Sequence, residues 1–143
     1  MELRNFGAVI KFALEVEAMA AAFYETANAI TKNQQLKSSF ETFMQMRMTR
    51  MELLKRLRRE NTTEMILEPI SGLNSEKFRP KTECPEGCPD KKLIELAVSM
   101  ENLNSAFYIV AAKKIEFLIE PADIFEQMAE ENLEYTKQLE KFG

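Results

Sequence analysis

The sequence contains no histidine and no tryptophan, and only two cysteines, Cys84 and Cys88, in 143 residues. Without histidine it lacks the commonest general base at neutral pH and the commonest transition-metal ligand. Any chemistry then has to come from carboxylates, tyrosines, arginines or the cysteine pair. Glycine and proline are scarce and unevenly placed. Neither occurs from Ala8 to Glu68, and the five prolines are Pro69, Pro80, Pro85, Pro89 and Pro121. No apolar run approaches the roughly 20 residues that cross a bilayer. The N-terminal MELRNFG has no signal-peptide core, so a cytoplasmic protein without a membrane partner is expected. A basic surface is lacking as well. The net charge of −4 argues against nucleic acid as a partner, because phosphate binding needs positive charge.

What is present is a globular composition, 45% hydrophobic and 29% charged, with enough chain for one domain with a real core. Because proline and glycine interrupt helices, the stretches free of them are expected to be helical. Four helices are expected, at about 3–31, 34–61, 90–119 and 122–141, with a connector over about 62–89. Asn33 is placed to cap the second helix, and Glu120-Pro121 to break the second pair. Two tight hairpins joined by one long crossover predict an all-α four-helix bundle, with the whole of 1–143 as one domain. An internal repeat supports the pairing. Glu17 to Ala27 reads EAMAAAFYETA and Glu101 to Ala111 reads ENLNSAFYIVA, both E-x4-A-F-Y-x2-A at an offset of 84 residues. Phe40 and Leu54 match Phe125 and Leu139 at an offset of 85. Two related hairpins should therefore face each other about a pseudo-two-fold axis.

Within the segment MQMRMTRMELLKRL, Arg47 and Arg50 stand where an apolar stripe should continue. Phe40, Phe43, Arg47, Arg50, Leu54 and Leu57 follow the three-four spacing of a buried helix face. The other helices also carry polar groups mid-stripe: Glu17 in the first, Glu101 in the third, and Asn132 and Tyr135 in the fourth. Two readings of the second helix stay open on periodicity alone. Either Arg47 and Arg50 are buried, or a stripe of Phe40, Met44, Met48 and Met51 faces the core and the arginines are solvated.

The stretches ALEVEAMAAAFYETA, ELAVSMENLNSAFYIVA, MELLKRL and ADIFEQMAEENLEYTKQLEK resemble the rubrerythrin-type ferritin-like proteins, across nearly all of the four helices. That resemblance implies a ferritin-like fold and a di-iron oxidoreductase or peroxidase centre. In the family, two helices each supply a bridging glutamate and the other two each supply Glu-x-x-His. Glu17 and Glu101 match the single glutamates. The Glu-x-x-His positions read Arg47-Met48-Thr49-Arg50 and Asn132-Leu133-Glu134-Tyr135, so four of the six usual ligands are replaced. The two Cys-x-x-Cys knuckles of a rubredoxin-like module are absent too. Two glutamates and two arginines balance in charge, as do four carboxylates and two ferrous ions. The guanidinium groups are accordingly expected at the metal positions, paired with Glu17 and Glu101, since arginine's planar fork can satisfy carboxylates bidentately.

Three functional readings follow. The leading one is a rubrerythrin-like protein with a degenerate metal site and no cofactor, serving as a non-catalytic binding, assembly or structural module. The alternative is a working di-iron or other metal-binding oxidoreductase or iron-handling protein with an atypical ligand set, Glu17, Glu101, Glu131 and Glu134. Carboxylate-only sites suit manganese, magnesium or calcium better than iron, and two arginines would repel any cation. The third reading is a thiol or zinc protein acting through Cys84 and Cys88, with two chains supplying four thiolates. Free thiols in a turn are the plainer expectation for that pair; a local disulfide would be transient in the cytoplasm. By analogy with ferritin-like bundles, which pair through helix faces, a homodimer is expected. The crowded Met44, Met46, Met48 and Met51 read as core filling, and Glu130, Glu131 and Glu134 with Lys137 as a solvated face.

Overall fold

The computed structural model describes residues 1–64, 68–84 and 87–142. The connector expected over 62–89 thus lies partly outside the described residues, at 65–67 and 85–86, as does the terminal Gly143. Four helices carry the fold: α1 (Phe6–Ile30), α2 (Gln34–Glu60), α3 (Asp90–Lys114) and α4 (Ile119–Glu140). Their ends follow local chemistry. Asn5 opens α1 by accepting from the Ala8 amide at 2.8 Å, so the helix starts at Phe6 rather than near residue 3. Asn33 opens α2 by accepting from the amides of Gln35 and Leu36. The break in the second hairpin falls at 115–118, earlier than Glu120-Pro121. Pro121 sits in the first turn of α4, where its missing N–H costs no intrahelical bond.

The short turn 31–33 folds α2 back on α1, and 115–118 folds α4 back on α3. Between the hairpins, the chain returns along the outside of α1 and α3. It begins beside the N-terminal strand of residues, with Ile70 N donating to Arg4 O at 2.8 Å and Leu3 N to Leu73 O at 2.7 Å. Glu2 and Asn74 form an isolated antiparallel bridge. A short 3-10 turn, Ser75–Phe78, then lays Phe78 against Phe107 at 5.7 Å between ring centroids. Arg79 caps the ring of Phe12 at 5.2 Å, and Thr82 and Cys84 reach the C-terminal half of α1 beside Met19, Phe23 and Thr26. Among the described residues, the crossover therefore lies on the α1–α3 face and not on the α2–α4 face.

Inside, the apolar core is divided. One half gathers Phe6, Ile10 and Ala13 of α1 with Leu54, Leu57, Phe107, Tyr108 and Phe125. The other gathers Tyr24 and Ala27 with Leu36, Phe40, Phe43, Leu93, Met100 and Leu139. Between them runs a layer of fully buried polar residues. On α2 the buried stripe is Leu36, Phe40, Phe43, Arg47, Arg50, Leu54 and Leu57. Met48 is 52% exposed and Met44 and Met51 are half-buried at the edge of the core, so Arg47 and Arg50, not the methionines, continue the buried face from Phe40.

Candidate functional site

Every helix contributes to the polar layer. From α1 comes Glu17, from α2 Arg47 and Arg50, from α3 Glu101, and from α4 Asn132. Arg47 lies at its centre with no exposed surface. Its guanidinium fork spans two carboxylates: Nη1 donates to Glu17 Oε2 at 2.6 Å and Nη2 to Glu101 Oε1 at 2.5 Å. Arg50, 3% exposed, donates through Nη1 to Glu17 Oε1 at 3.1 Å and to Asn132 Oδ1 at 2.9 Å. Its Nη2 donates to the Met128 carbonyl at 2.9 Å and to Glu131 Oε1 at 3.1 Å. The same guanidinium carbon stands 5.8 Å from the ring centroids of both Tyr108 and Tyr135, a cation–π sandwich.

Two tyrosines complete the layer, and they cross between the repeats. Tyr24 of α1 donates to Glu101 Oε2 of α3, while Tyr108 of α3 donates to Glu17 Oε1 of α1 at 2.7 Å. Asn132 Nδ2 also donates to Glu101 Oε1, at 2.6 Å. Each buried carboxylate thus has three donors. Glu17 takes Arg47, Arg50 and Tyr108; Glu101 takes Arg47, Tyr24 and Asn132. Tyr24 and Tyr108 had no role in the sequence analysis. Their signal was the repeated Glu-x6-Tyr spacing.

The electrostatics follow from burial opposed by pairing. Burial pushes the Glu17 carboxyl up, but the guanidiniums of Arg47 and Arg50, with hydrogen bonds from Arg47 and Tyr108, outweigh it and hold the group below its ordinary value. Burial likewise disfavours charge on Arg47, yet Glu101 and Glu17 raise it well above its ordinary value. Arg50 is raised too, with burial opposed mainly by Glu17. Burial first, then the adjacent carboxylate, raises Tyr24 and Tyr108 well above the usual phenol range. Both phenols therefore remain protonated donors. Some polar atoms stay unpaired among the described residues: Nε of Arg47 and of Arg50, the Tyr135 hydroxyl, and both side-chain atoms of Asn104.

This donor set does not fit a di-iron centre. A guanidinium, rather than open space, lies between the two bridging-type glutamates, and a second cation flanks it. The two other carboxylates of the alternative ligand set are elsewhere engaged. Glu131 lies at the rim, partly exposed and paired with Arg50; Glu134 points to solvent, where it meets Lys137 at 3.3 Å. Among the described residues, no group of three or more His, Cys, Asp or Glu is arranged to hold a metal ion. Both carboxylates of the layer are instead engaged by three donors each.

The cysteines differ from the plainer expectation of free thiols. Cys84 and Cys88 are joined as a disulfide, with their Cα atoms 5.9 Å apart, within ordinary disulfide range. In that oxidised state they offer no thiolates to zinc. The pair sits at the end of the crossover beside α1, away from the central layer.

No family model and no curated protein matches this chain. Solved structures do. A dodecameric thioferritin, the bacterioferritin-related protein from Bacteroides fragilis, superposes with a TM-score of 0.74 at 20% identity, over 94% of this chain and 81% of that one. CopM in its Cu(I)-bound form superposes with a TM-score of 0.68 at 10% identity, over 95% of this chain and 93% of that one. The fold is a ferritin-like four-helix bundle. At these identities the likeness extends to the fold alone and does not single out the rubrerythrin type. No helix among the described residues is long and apolar enough to cross a membrane.

Proposed function

We propose that this chain is a rubrerythrin-like member of the ferritin-like bundles in which an internal salt-bridge layer stands where the family places its metals. It serves as a non-catalytic binding or assembly module. The observation that carries this reading is the Arg47 fork, fully buried and shared between Glu17 and Glu101. A guanidinium held by two carboxylates supplies the positive charge that two ferrous ions would otherwise bring, and it does so without open coordination positions or redox chemistry. Self-assembly belongs to the same reading, with a dimer as the smallest unit. The dodecameric state of the thioferritin neighbour supports association of this fold, and the α2–α4 face, on which none of the described crossover residues lies, is available for it.

The test is metal content by mass spectrometry on tag-free protein, as purified and after anaerobic ferrous loading and desalting, with light scattering on the same samples. Sub-stoichiometric iron in both samples and a mass of two or more chains are expected. Two irons per chain would overturn the reading and restore a di-iron oxidoreductase.

A further inference from the structure

Arg50 joins the central layer to a groove at the surface. Its Nη1 faces inward, donating to Glu17 and Asn132. Its Nη2 faces a groove of about 120 Å³ between α2 and α4, because Met128 and Glu131, which accept from it, line that groove together with Arg50 itself. The other walls are largely apolar, with Met46 and Leu53 from α2 and Ile124 from α4. In size the groove matches roughly four waters at about 30 Å³ each. Part of the guanidinium is not used by the layer. Its Nε is buried and, among the described residues, has no acceptor. Its contact with Glu131 is a single hydrogen bond at 3.1 Å, from Nη2 to one carboxylate oxygen. The Nε–H and one N–H of Nη2 point the same way and form the side fork of a guanidinium, an edge that a planar carboxylate takes with both oxygens. Glu131 engages one of those two nitrogens and leaves the other without a partner.

Charge marks Glu131 as the exchangeable group. Arg47 and Arg50 are already balanced by the fully buried Glu17 and Glu101, so Glu131 brings a charge in excess. Its side chain is 36% exposed, and an ion pair that water can reach costs little to open. We propose that this groove binds a small aliphatic monocarboxylate of about the size of acetate. The ligand carboxylate displaces Glu131 and takes Nε and Nη2 of Arg50 side-on, while its short alkyl group lies against Leu53 and Ile124. No covalent bond forms or breaks and no proton moves, because one carboxylate replaces another. The inference deepens the proposed binding role and rests on the central layer being a salt-bridge network without metal.

The test follows the arginine Nε–H signals in proton–nitrogen correlation spectra of the isotope-labelled full chain, after its iron content has been measured. Sodium acetate is titrated in parallel with sodium chloride at equal ionic strength. The Nε–H signal that Arg50→Lys removes should move saturably with acetate, the Arg47 signal much less, and chloride should move neither. Glu131→Gln deletes the competing charge and should lower the half-saturating acetate concentration by about 10-fold, the scale of one hydrogen bond to a charged group. Helical circular dichroism of both variants controls for folding. If Arg50→Lys does not fold, nuclear Overhauser contacts in the wild type between the acetate methyl and the methyls of Leu53 and Ile124 locate the ligand directly. No saturable movement, equal movement with chloride, acetate contacts elsewhere on the protein, or an unchanged half-saturation in folded Glu131→Gln would each overturn the proposal. Two irons per chain in the starting protein would instead overturn the reading of the central layer, and this inference with it, so the two failures are distinguishable.

Discussion

Replacing Arg47 with methionine isolates what the central layer contributes. Methionine keeps most of the length and volume of the aliphatic stem and removes only the guanidinium. Glu17 then keeps Arg50 at 3.1 Å and Tyr108 at 2.7 Å, but Glu101 is left with the neutral donors Tyr24 and Asn132 alone. All of these groups are buried, so solvent cannot repair the loss. Removing one partner of a buried ion pair costs about 3–5 kcal/mol, much of it the penalty of the charge left behind. For a domain of this size, that corresponds to a fall in Tm of about 12–20 °C. Adding Glu101→Gln should restore about 1–3 kcal/mol, since it deletes the uncompensated charge and leaves a hydrogen-bonding group in place. The pH dependence separates this mechanism from simple loss of packing. In the wild type, Glu17 is held below its ordinary value of 4.5, so its contribution is present above that pH and is lost as pH falls through the lower native value. In Arg47→Met the sign reverses, because two buried carboxylates share the layer with one guanidinium, that of Arg50 on Glu17, and the pair takes up a proton on folding. Stability should therefore rise as pH falls from 8 toward 5. Circular dichroism melts of the three proteins across that range read both effects. If Arg47→Met keeps its helices and melts at or above the wild-type temperature, the ion-pair reasoning is refuted.

Two further outcomes test other parts of the layer and its surroundings. Tyr24, Tyr108 and, to a lesser degree, Tyr135 are raised from the ordinary phenol value of 10.0, with burial as the leading cause in each. A raised native value means stability is full below that pH and is lost as pH rises through the native values, so the phenolate absorbance near 295 nm should grow only with loss of helix; smooth titration near pH 10 with native circular dichroism would contradict the hydrogen-bond pattern. Met48→Glu should change stability by no more than about 0.5 kcal/mol in denaturant titration, because the side chain is 52% exposed, and a loss of several kcal/mol would mean that the methionine stripe faces the core after all.

Much of this architecture is legible in the residues, for identifiable reasons. The absence of proline and glycine from 8 to 68 leaves little alternative to helix, and the repeat at an offset of 84 residues pairs the hairpins. Helix ends were less legible. Pro121 is compatible with a first turn as well as with a break, and the structure uses it in the turn. For α2, the arginine stripe and the methionine stripe are both regular, and periodicity weighs neither charge nor partners. What separates them is the presence of Glu17 and Glu101 at the same level of the bundle, which is a property of the packed hairpins and of no single helix. The state of Cys84 and Cys88 was not legible at all, since two cysteines four residues apart are compatible with free thiols, a disulfide or shared metal.

The crossed tyrosines were within reach of the sequence, and they show what the layer does. Seven residues along a helix is about 10 Å, so neither tyrosine can reach the glutamate of its own repeat. Only an antiparallel neighbour in one register brings Tyr24 to Glu101 and Tyr108 to Glu17 together, and α1 and α3 have that register. A slip by one turn would strand two buried carboxylates and both guanidiniums without partners. A buried ion pair contributes little net stability relative to an apolar core of equal volume. Its larger effect in this bundle is to penalise every packing but one. In a di-iron bundle, that registration depends on metal supply, because the carboxylates stay mutually repulsive until the ions arrive. Here Arg47 is part of the chain, so the bundle is registered whenever it is folded.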